Sequence, residues 1–232
     1  MIFMTDSILV VAAHPDDEVL GCGGTIARHS DAGDHVQVLI VAEGATARQE
    51  HYQDCQAREK LSTLSQAAKM AGLILGTTSV ELLNLPDNRL DSINRLDLAK
   101  LIEAWIQRCY PSIVYVHHAG DVNVDHRRLH EAVITACRPK PGHVVRRLLS
   151  FEISSSTEWQ TPGSGPTFRP NLFVDISRQW ERKRQALDAY VSEMRPWPHA
   201  RSTQAVEHLA RWRGAQVGVP AAEAFCLLRE LV

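Results

Sequence analysis

Short apolar runs alternate with segments of helical periodicity along this chain, and no other feature limits the possible folds as strongly. The runs at 7–13, 35–44, 80–85 and 112–118 are rich in Val, Ile and Leu, which is typical of buried strands. Strands that alternate with helices pair in parallel through right-handed crossovers. The order therefore predicts an α/β fold, with a mainly parallel sheet and helices on both faces.

The periodic segments between and after these runs predict the helices and the C-terminal part of the fold. Helices are predicted at 24–32, 47–71, 93–109 and 125–138, with Gly72 as the residue that ends the second. A segment rich in Gly, Pro, Ser and Thr at 156–170 is interpreted as an active-site loop or a connection within the domain. Beyond it we expect a strand, two helices and a last strand, at 171–176, 177–193, 202–213 and 224–231. We therefore predict one α/β domain over 1–232, with a mixed C-terminal part.

The charge balance and the cysteines limit the partners and the compartment. A net charge of −2 over 232 residues gives no basic surface for nucleic acid or an anionic membrane. No apolar stretch approaches the ~20 residues of a membrane span, and the N-terminus lacks the basic segment of a signal peptide. The five cysteines are scattered and never form a C-x-x-C pair. We therefore expect reduced thiols, no thiolate zinc cluster and a cytoplasmic protein.

Potential metal ligands follow the apolar runs at the points where those runs end. His14, Asp16, Asp17 and Glu18 directly follow the first run. The fourth run ends in or precedes a second set of histidines and aspartates, namely His117, His118, Asp121, Asp125, His126 and His130. Ligands of open α/β sheets bind at the carboxyl ends of the strands, so both sets are expected at one edge of the sheet.

Two interpretations of the His-Pro-Asp-Asp segment at 14–17 remain open from the residues alone. The segment can form a turn whose carboxylates cap the following helix. It can also hold a catalytic zinc ion, because imidazole and carboxylate are usual ligands of such an ion and leave one position open for water. The second set of histidines and aspartates favours the metal site. A carboxylate outside the ligand set could then accept a proton from the activated water.

Segments from two parts of the chain resemble one known family. "AHPDDEVLGCGG" (13–24), followed by "GDVNVDHRRLHEAV" (120–133), resembles the LmbE/PIG-L family of zinc-dependent N-acetyl-sugar deacetylases. "ELLNLPDNRLD" (81–91) also runs as in that family, so the likeness covers about 7–155. The C-terminal tail is similar to members from sugar-modifying and surface-glycan pathways. The resemblance implies a single Rossmann-like (LmbE-like) domain.

The resemblance also implies roles at particular positions. His14, Asp17 and His126 fall on the three ligands of one Zn²⁺ ion, with another divalent metal as the alternative, and Asp16 falls on the general base. Many members have a histidine where this chain has Asn123, and that histidine stabilises the tetrahedral intermediate or protonates the leaving amine. An asparagine can donate a hydrogen bond to an oxyanion but cannot transfer a proton. The acid step then falls to Asp16 or to another residue. The candidates for that other residue are His117, His118 and His199.

Further polar and aromatic residues are candidates for contacts with a sugar. Asp87, Asn88 and Asp121 follow strands, and Lys60 lies where family members often carry an arginine that contacts substrate. Structural or solvated roles are the alternative for each of them. Asp125 is expected to orient an imidazole rather than to bind the metal. The aromatic candidates for stacking on a sugar ring are Trp159, Trp197 and Tyr190, although core or loop-anchoring positions are commoner for such residues.

The predicted reaction is removal of the N-acetyl group from an N-acetylglucosamine-type sugar or glycoconjugate, with release of acetate. The partner is then a small acetylated amino sugar, and a homo-oligomer is compatible with the sequence. Two alternatives remain: a zinc amidase on another amide, such as a thiol-sugar conjugate, and a catalytically inactive sugar-binding relative. A dinucleotide site formed by "GCGG" and Glu43 is disfavoured, because G-x-G-x-x-G would need a glycine at Ile26 and the preceding acids would repel a pyrophosphate.

Overall fold

Seven strands and six helices make up the part of the chain that the structure, a computed structural model, describes, residues 5–46 and 55–232. The strands are β1 (Ser7–Ala12), β2 (His35–Ala42), β3 (Ser79–Leu85), β4 (Ile113–His117), β5 (Arg147–Phe151), β6 (Leu172–Asp175) and β7 (Ala222–Glu230). The helices are α1 (Asp17–Asp31), α2 (Cys55–Leu75), α3 (Arg95–Cys109), α4 (Val124–Ala136), α5 (Trp180–Asp188) and α6 (Thr203–Ala215). Two short 3₁₀ turns lie in the connections, at Leu90–Ser92 and Thr157–Trp159.

The strands form one sheet in the order β3-β2-β1-β4-β5-β7-β6. β1 pairs in parallel with β2 and β4, and parallel pairing continues to β3 on one side and to β5 on the other. β7 is antiparallel to both β5 and β6. The predicted α/β class, the mainly parallel sheet and the mixed C-terminal part are confirmed. No helix in the described ranges combines the length and the apolar character that a membrane crossing requires.

Side chains of β1 alternate between two cores, one on each face of the sheet. Ile8 and Val10 pack in the core that also contains residues of α1, α2 and α5. Leu9 and Val11 pack in the core that contains residues of α3 and α4. A strand that is apolar at every position is therefore covered on both faces, as its sequence predicts. Loops follow the carboxyl ends of the strands, and polar residues can lie together there.

Helix α1 begins at Asp17 rather than at residue 24. Cys22, with φ of −147° and ψ of 22°, breaks the helix, and "GCGG" lies inside it. The sequence prediction places the start of the helix too late because glycine has a low helix propensity. Close packing explains at least one of them, since a Cβ on Gly21 would lie 2.4 Å from the Phe151 ring.

Helix α2 passes through Gly72 and ends just before Gly76, so the predicted C-terminal residue is wrong. Gly76 has φ of +81°, and Thr77 N donates to Gly72 O at 2.9 Å. This is the Schellman pattern, in which the left-handed glycine lies beyond the last helical residue. The predicted beginning of this helix, at 47–54, lies outside the described residues.

β5 is the described strand that has no counterpart in the sequence prediction. The strand is short, and its five residues, RLLSF, do not alternate strictly between apolar and polar. The strand forms where it can pair on both sides, in parallel with β4 and antiparallel with β7. Tertiary pairing rather than local pattern thus determines β5. The other predicted strands and helices are present with shifted ends, which are the least predictable part of an element.

Candidate metal centre

The two predicted sets of ligands meet at the carboxyl ends of β1 and β4. These strands lie side by side, and the chain proceeds outward from them in opposite directions, to β2 and β3 on one side and to β5 on the other. A crevice forms at such a switch point, and α/β proteins bind ligands there. The connection after β1 carries residues 14–16, and the connection after β4 carries residues 118–123 and leads into α4.

The three predicted metal ligands lie within reach of one ion. Asp17 Oδ2 is 3.2 Å from His14 Nδ1 and 3.2 Å from His126 Nε2. One ligand atom from each residue lies within 4.8 Å of the other two. Asp17 and His126 are buried, whereas the His14 side chain is 12% exposed. Two imidazoles and one carboxylate form a ligand set that suits a catalytic zinc ion.

Two atoms of this ligand set are buried and lack a hydrogen-bond partner among the described residues. They are Asp17 Oδ1 and His126 Nε2, and the 3.2 Å approach of the latter to Asp17 Oδ2 lacks hydrogen-bond geometry. An unpaired buried polar atom costs about 1–3 kcal/mol, and in native proteins it often indicates a water or an ion at the site. A divalent cation would satisfy both atoms at once. The residues present therefore fit a metal ion.

Two carboxylates hold the imidazoles on the side away from the ligand set. Asp125 Oδ2 lies 3.1 Å from His14 Nε2, and Asp121 Oδ2 lies 3.2 Å from His126 Nδ1. Each histidine thus turns one ring nitrogen towards a carboxylate and the other towards Asp17. This arrangement fixes the tautomer and the ring orientation of metal-binding histidines. Asp125 is itself held by two backbone N–H groups beyond β3, at 2.8 and 2.9 Å.

The sequence predicts that Asp121 contacts the substrate, but in the structure its carboxylate is bonded within the protein. It is buried, and its carboxylate accepts hydrogen bonds from the Ser156 hydroxyl and from Thr157 Oγ1. Burial alone would raise the pKa of this carboxyl, but its hydrogen bonds with His126 and the two hydroxyls hold that pKa well below the usual range. Both oxygens are occupied within the protein. Asp121 therefore braces His126 and the 156–157 turn and has no oxygen left for a sugar.

Asp16 lies beside the ligand set and outside it. As the N-cap residue of α1 it has a left-handed backbone, with φ of 108°, but its side chain makes no capping hydrogen bond. Helix capping therefore does not account for its carboxylate. Instead, Oδ2 accepts a hydrogen bond from Arg201 Nη1 at 2.9 Å. Burial raises the pKa of Asp16 well above its usual range, and the Arg201 guanidinium opposes the rise.

Arg201 is the residue of this site that sequence reasoning missed. Its Nε donates to Ser155 Oγ at 2.7 Å, and its Nη1 lies 3.9 Å from Glu193 Oε2. The guanidinium therefore ties the connection after β5 to the Asp16 turn. The two charged partners are 185 positions apart in the chain. The general similarity of the C-terminal tail to family members is the signal in the sequence that includes this position.

Asn123 caps helix α4. Its Oδ1 accepts a hydrogen bond from Asp125 N at 2.8 Å, and its backbone has the extended conformation of an N-cap. The amide oxygen is thus occupied at the start of the helix. Within the described ranges, no residue accepts a hydrogen bond from Asn123 Nδ2. A contact between this amide group and an oxyanion stays a prediction.

Of the remaining predicted sugar contacts, Asp87 is the one that contacts a predicted ligand directly. Asp87 Oδ1 is 3.2 Å from His14 Nε2 and accepts a hydrogen bond from Asn88 Nδ2 at 3.0 Å. Asp87 is buried, and Asn88 is exposed. Lys60 Nζ lies 3.7 Å from Glu193 Oε1, the carboxylate that also faces Arg201, so Lys60 is at the outer rim. The roles of these residues towards a sugar stay predictions.

The three histidines considered for the acid step have different surroundings. His117 is fully buried, accepts a backbone N–H at Nε2, and stacks on His126 with 3.9 Å between ring centroids. Burial lowers the pKa of His117. His118 is also buried, and its Nε2 lies 2.9 Å from Pro166 O. His199 is the exposed one of the three.

The three aromatic candidates for stacking on a sugar differ in their exposure to solvent. Tyr190 is fully buried and donates its hydroxyl to Glu18 Oε1 at 2.5 Å, so a sugar cannot stack on it. Burial raises the pKa of Glu18 to about 7. Trp159 and Trp197 are each 54% exposed, and the Trp159 ring packs edge-on against His199 at 6.0 Å.

In the described residues, the two features that the dinucleotide alternative requires are engaged elsewhere. Glu43, the acid that it requires, accepts hydrogen bonds from Ala45 N and from the Thr46 hydroxyl. The glycines of "GCGG" belong to helix α1 instead of a loop before it. Neither feature is placed to contact a nucleotide.

A buried His/Asp ligand set with a further carboxylate beside it is typical of metal-dependent hydrolases, and comparison with known proteins specifies the family. The family model described as PIG-L, GlcNAc-PI de-N-acetylase, matches residues 9–137. That range is more than half of the chain. The chain therefore belongs to the PIG-L family.

Relatives with different functions align over most of the chain. The uncharacterized deacetylase YaiS of Escherichia coli (strain K12) is 26% identical over 178 residues, which are 75% of this chain and 83% of that protein. The diacetylchitobiose deacetylase of Thermococcus kodakarensis is 27% identical over 201 residues, 80% of this chain and 69% of that protein. The crystal structure of GalB, the 4-carboxy-2-hydroxymuconate hydratase of Pseudomonas putida KT2440, matches with a TM-score of 0.77 at 25% identity and 98% coverage of each chain. The fold is thus shared by proteins that carry out different reactions.

The ligand assignment predicts different effects for the two neighbouring aspartates. Asp17→Asn and His126→Ala are expected to weaken Zn²⁺ binding by more than about 100-fold, the upper end of what loss of a supporting contact costs. Asp16→Asn is expected to keep stoichiometric zinc, because its carboxylate lies outside the ligand set. Isothermal titration of the metal-free proteins with Zn²⁺ measures all three. If Asp16→Asn loses the metal and Asp17→Asn keeps it, the two roles are reversed.

Proposed function

We propose that this chain is a zinc-dependent N-deacetylase that hydrolyses the acetamide of an N-acetylglucosamine-type sugar or glycoconjugate and releases acetate. The observation that carries the proposal is the pair of adjacent aspartates. Asp17 lies in a ligand set with His14 and His126, and Asp16 lies beside that set with its carboxylate outside it. Amide hydrolysis needs this combination, because the carbonyl must be polarised and a proton must move from water to the departing amine.

The substrate class is supported by the family description and by the name of one relative. The family model is described by a GlcNAc-PI de-N-acetylase, and the Thermococcus relative is, by its name, a deacetylase of diacetylchitobiose. The hydratase relative has a different reaction, so family membership alone does not determine the chemistry. The proposal therefore depends on the ligand set and on Asp16.

His14, Asp17 and His126 would hold the zinc ion, with Asp125 and Asp121 fixing the two imidazoles from behind. When bound, zinc supplies Lewis-acid polarisation of the acetamide carbonyl and makes a nearby water more acidic. The buried surroundings strengthen every electrostatic interaction at the reacting amide.

Asp16 accepts the proton of the attacking water and returns it to the amine as the carbon–nitrogen bond breaks. Arg201 engages Oδ2 of this carboxylate, which leaves Oδ1 for the transfer. Asn123 donates from Nδ2 to the developing oxyanion. We assign both transfers to Asp16, because Asn123 cannot transfer a proton and the Nε2 atoms of His117 and His118 are engaged by Ala13 N and Pro166 O.

Three residues at the edge of the crevice bind the sugar hydroxyls in this proposal: Asp87, Asn88 and Lys60. Asp121 is left out because its carboxylate is fully engaged within the protein. Cys22, Cys109, Cys137 and Cys226 are unpaired, which suits a reducing compartment, and we place the reaction in the cytoplasm.

The proposal is tested by acetate release from a panel of acetamido sugars, including N-acetylglucosamine and diacetylchitobiose. Asp16→Asn should lower kcat by about 10²–10⁴-fold, the usual contribution of general acid–base catalysis. It should still bind one zinc ion. Asp188→Asn is the control, since Asp188 is an exposed carboxylate of α5 that pairs with Arg184.

Other outcomes of the same assay support the alternatives. Release of an amine from a thiol-sugar conjugate, with no acetate from any acetylated sugar, would identify an amidase of different specificity. A zinc-loaded wild-type protein that binds acetamido sugars and releases nothing would be an inactive sugar-binding relative. Either result would contradict the proposed deacetylase.

Arg201 is expected to act through Asp16. Arg201→Met removes the hydrogen bond that orients the base, and a carboxylate displaced by about 1 Å can cost roughly 100-fold in rate. We expect kcat to fall by about 10–100-fold, with partial recovery in Arg201→Lys. Arg213→Met is the control, because Arg213 is also largely buried and forms an ion pair with Glu152, at 2.7 Å, that involves neither Asp16 nor the ligand set. Equal kcat losses in Arg201→Met and Arg213→Met would contradict this role.

A further inference from the structure

A break in helix α1 separates the predicted metal turn from the rest of the helix. Cys22 has non-helical backbone angles and divides α1 into a first segment, Asp17–Gly21, and a second that continues to Asp31. The first segment follows Asp16 directly and begins with the ligand Asp17. Five residues are too few for a helix to be stable by itself. The position of this segment must therefore come from contacts with other parts of the chain.

A buried ion pair bonds the backbone groups on both sides of the break. Lys183 Nζ donates to Leu20 O, in the first segment, at 2.9 Å. Glu223 accepts from Gly24 N at 2.9 Å and from Thr25 N at 2.7 Å, at the start of the second segment. Lys183 and Glu223 are themselves 2.6 Å apart. One charged pair thus satisfies polar groups of the kind that a helix end leaves without partners.

Lys183 and Glu223 are too deeply buried to contact a substrate. Lys183 is 2% exposed and Glu223 is 5% exposed. Taking two charges out of water is costly, and apolar residues of similar size can often replace such a pair without loss of stability. Here apolar residues would remove the side-chain partners of three backbone groups at the break. The charges therefore have a local task, which is to hold the two segments in their relative orientation.

The first segment has a second connection to the same region of the chain. Tyr190, which follows α5, donates its hydroxyl to Glu18 Oε1, and the other oxygen of Glu18 accepts from Asp16 N at 3.1 Å. Lys183 in α5 holds the end of the segment, and Tyr190 holds its beginning. The turn with Asp16 and Asp17 is thereby fixed from one side by α5 and the residues after it.

From these contacts we infer that the Lys183–Glu223 pair positions the metal-ligand turn, and that metal affinity depends on it. Both are positioning residues: they contact neither the ligand set nor the crevice, and they act through the backbone of α1. The inference rests on the metal site of the proposed function and is independent of the substrate.

Titration of the purified protein with Zn²⁺ tests this inference. Lys183→Met and Glu223→Gln are expected to weaken Zn²⁺ affinity by about 10–100-fold, as loss of contacts behind metal ligands does. Arg182→Met is the matched control. Arg182 is the neighbouring residue of α5 and pairs with Asp31, at the far end of α1 from the metal turn. Its loss should lower the stability to urea and leave the zinc affinity within about twofold of wild type, because it is remote from the ligands.

The comparison of zinc affinity with stability separates positioning from a purely structural role. Variants of Lys183 and Glu223 that lose stability but bind Zn²⁺ as wild type does would overturn the inference. If these variants do not fold, Lys183→Arg and Glu223→Asp keep both charges and alter only their reach, and the same loss of affinity is expected of them. Wild-type affinity in these two would equally overturn it. Failure of the wild-type protein to bind Zn²⁺ would instead contradict the proposed function, and this inference with it.

Discussion

Two neighbouring carboxylates buried at the end of one strand impose the constraint on which the rest of the site depends. Adjacent buried charges of one sign disfavour each other and need separate partners. Asp17 is surrounded by the imidazoles of His14 and His126, whereas Asp16 receives the Arg201 guanidinium. Two chemically identical residues thereby acquire different environments. Such a difference is the general way in which neighbouring carboxylates take different tasks in one site.

The partners of these two aspartates come from distant parts of the chain, and the fold serves to bring them together. The parallel sheet places the end of β1 next to the end of β4, which supplies His126 and its brace Asp121. The C-terminal part, which follows the range matched by the family model, supplies Arg201 for Asp16 and the Lys183–Glu223 pair for the break in α1. The range matched by the family model therefore carries the proposed ligands and the carboxylates that orient their imidazoles, and the C-terminal part supplies contacts to Asp16 and to the first segment of α1.

The strand order predicts that the two sets of histidines and aspartates meet at one edge of the sheet, because the carboxyl ends of parallel strands lie together. The resemblance to the LmbE/PIG-L family, and not the strand order, singles out His14, Asp17 and His126 as the predicted ligands. The contacts of Arg201 and Glu223 follow from no local pattern, since each joins positions that are far apart in the chain. The type of a residue also does not predict which partners its side chain binds or which element it lies in. Nothing in the sequence indicates that both oxygens of Asp121 are engaged within the protein, or that the glycines before Thr25 lie inside a helix. The same holds for β5, which depends on pairing with β4 and β7.

In the proposed site, one aspartate of the pair binds the metal and the other does not. Crystallographic diffraction from zinc-loaded protein, collected above and below the zinc absorption edge, distinguishes the two aspartates. We expect one anomalous peak at about 2.0–2.2 Å from nitrogen atoms of His14 and His126 and from an Asp17 oxygen, with Asp16 still bonded to Arg201. A peak bound by the Asp16 carboxylate, or one located away from His14 and His126, would contradict it.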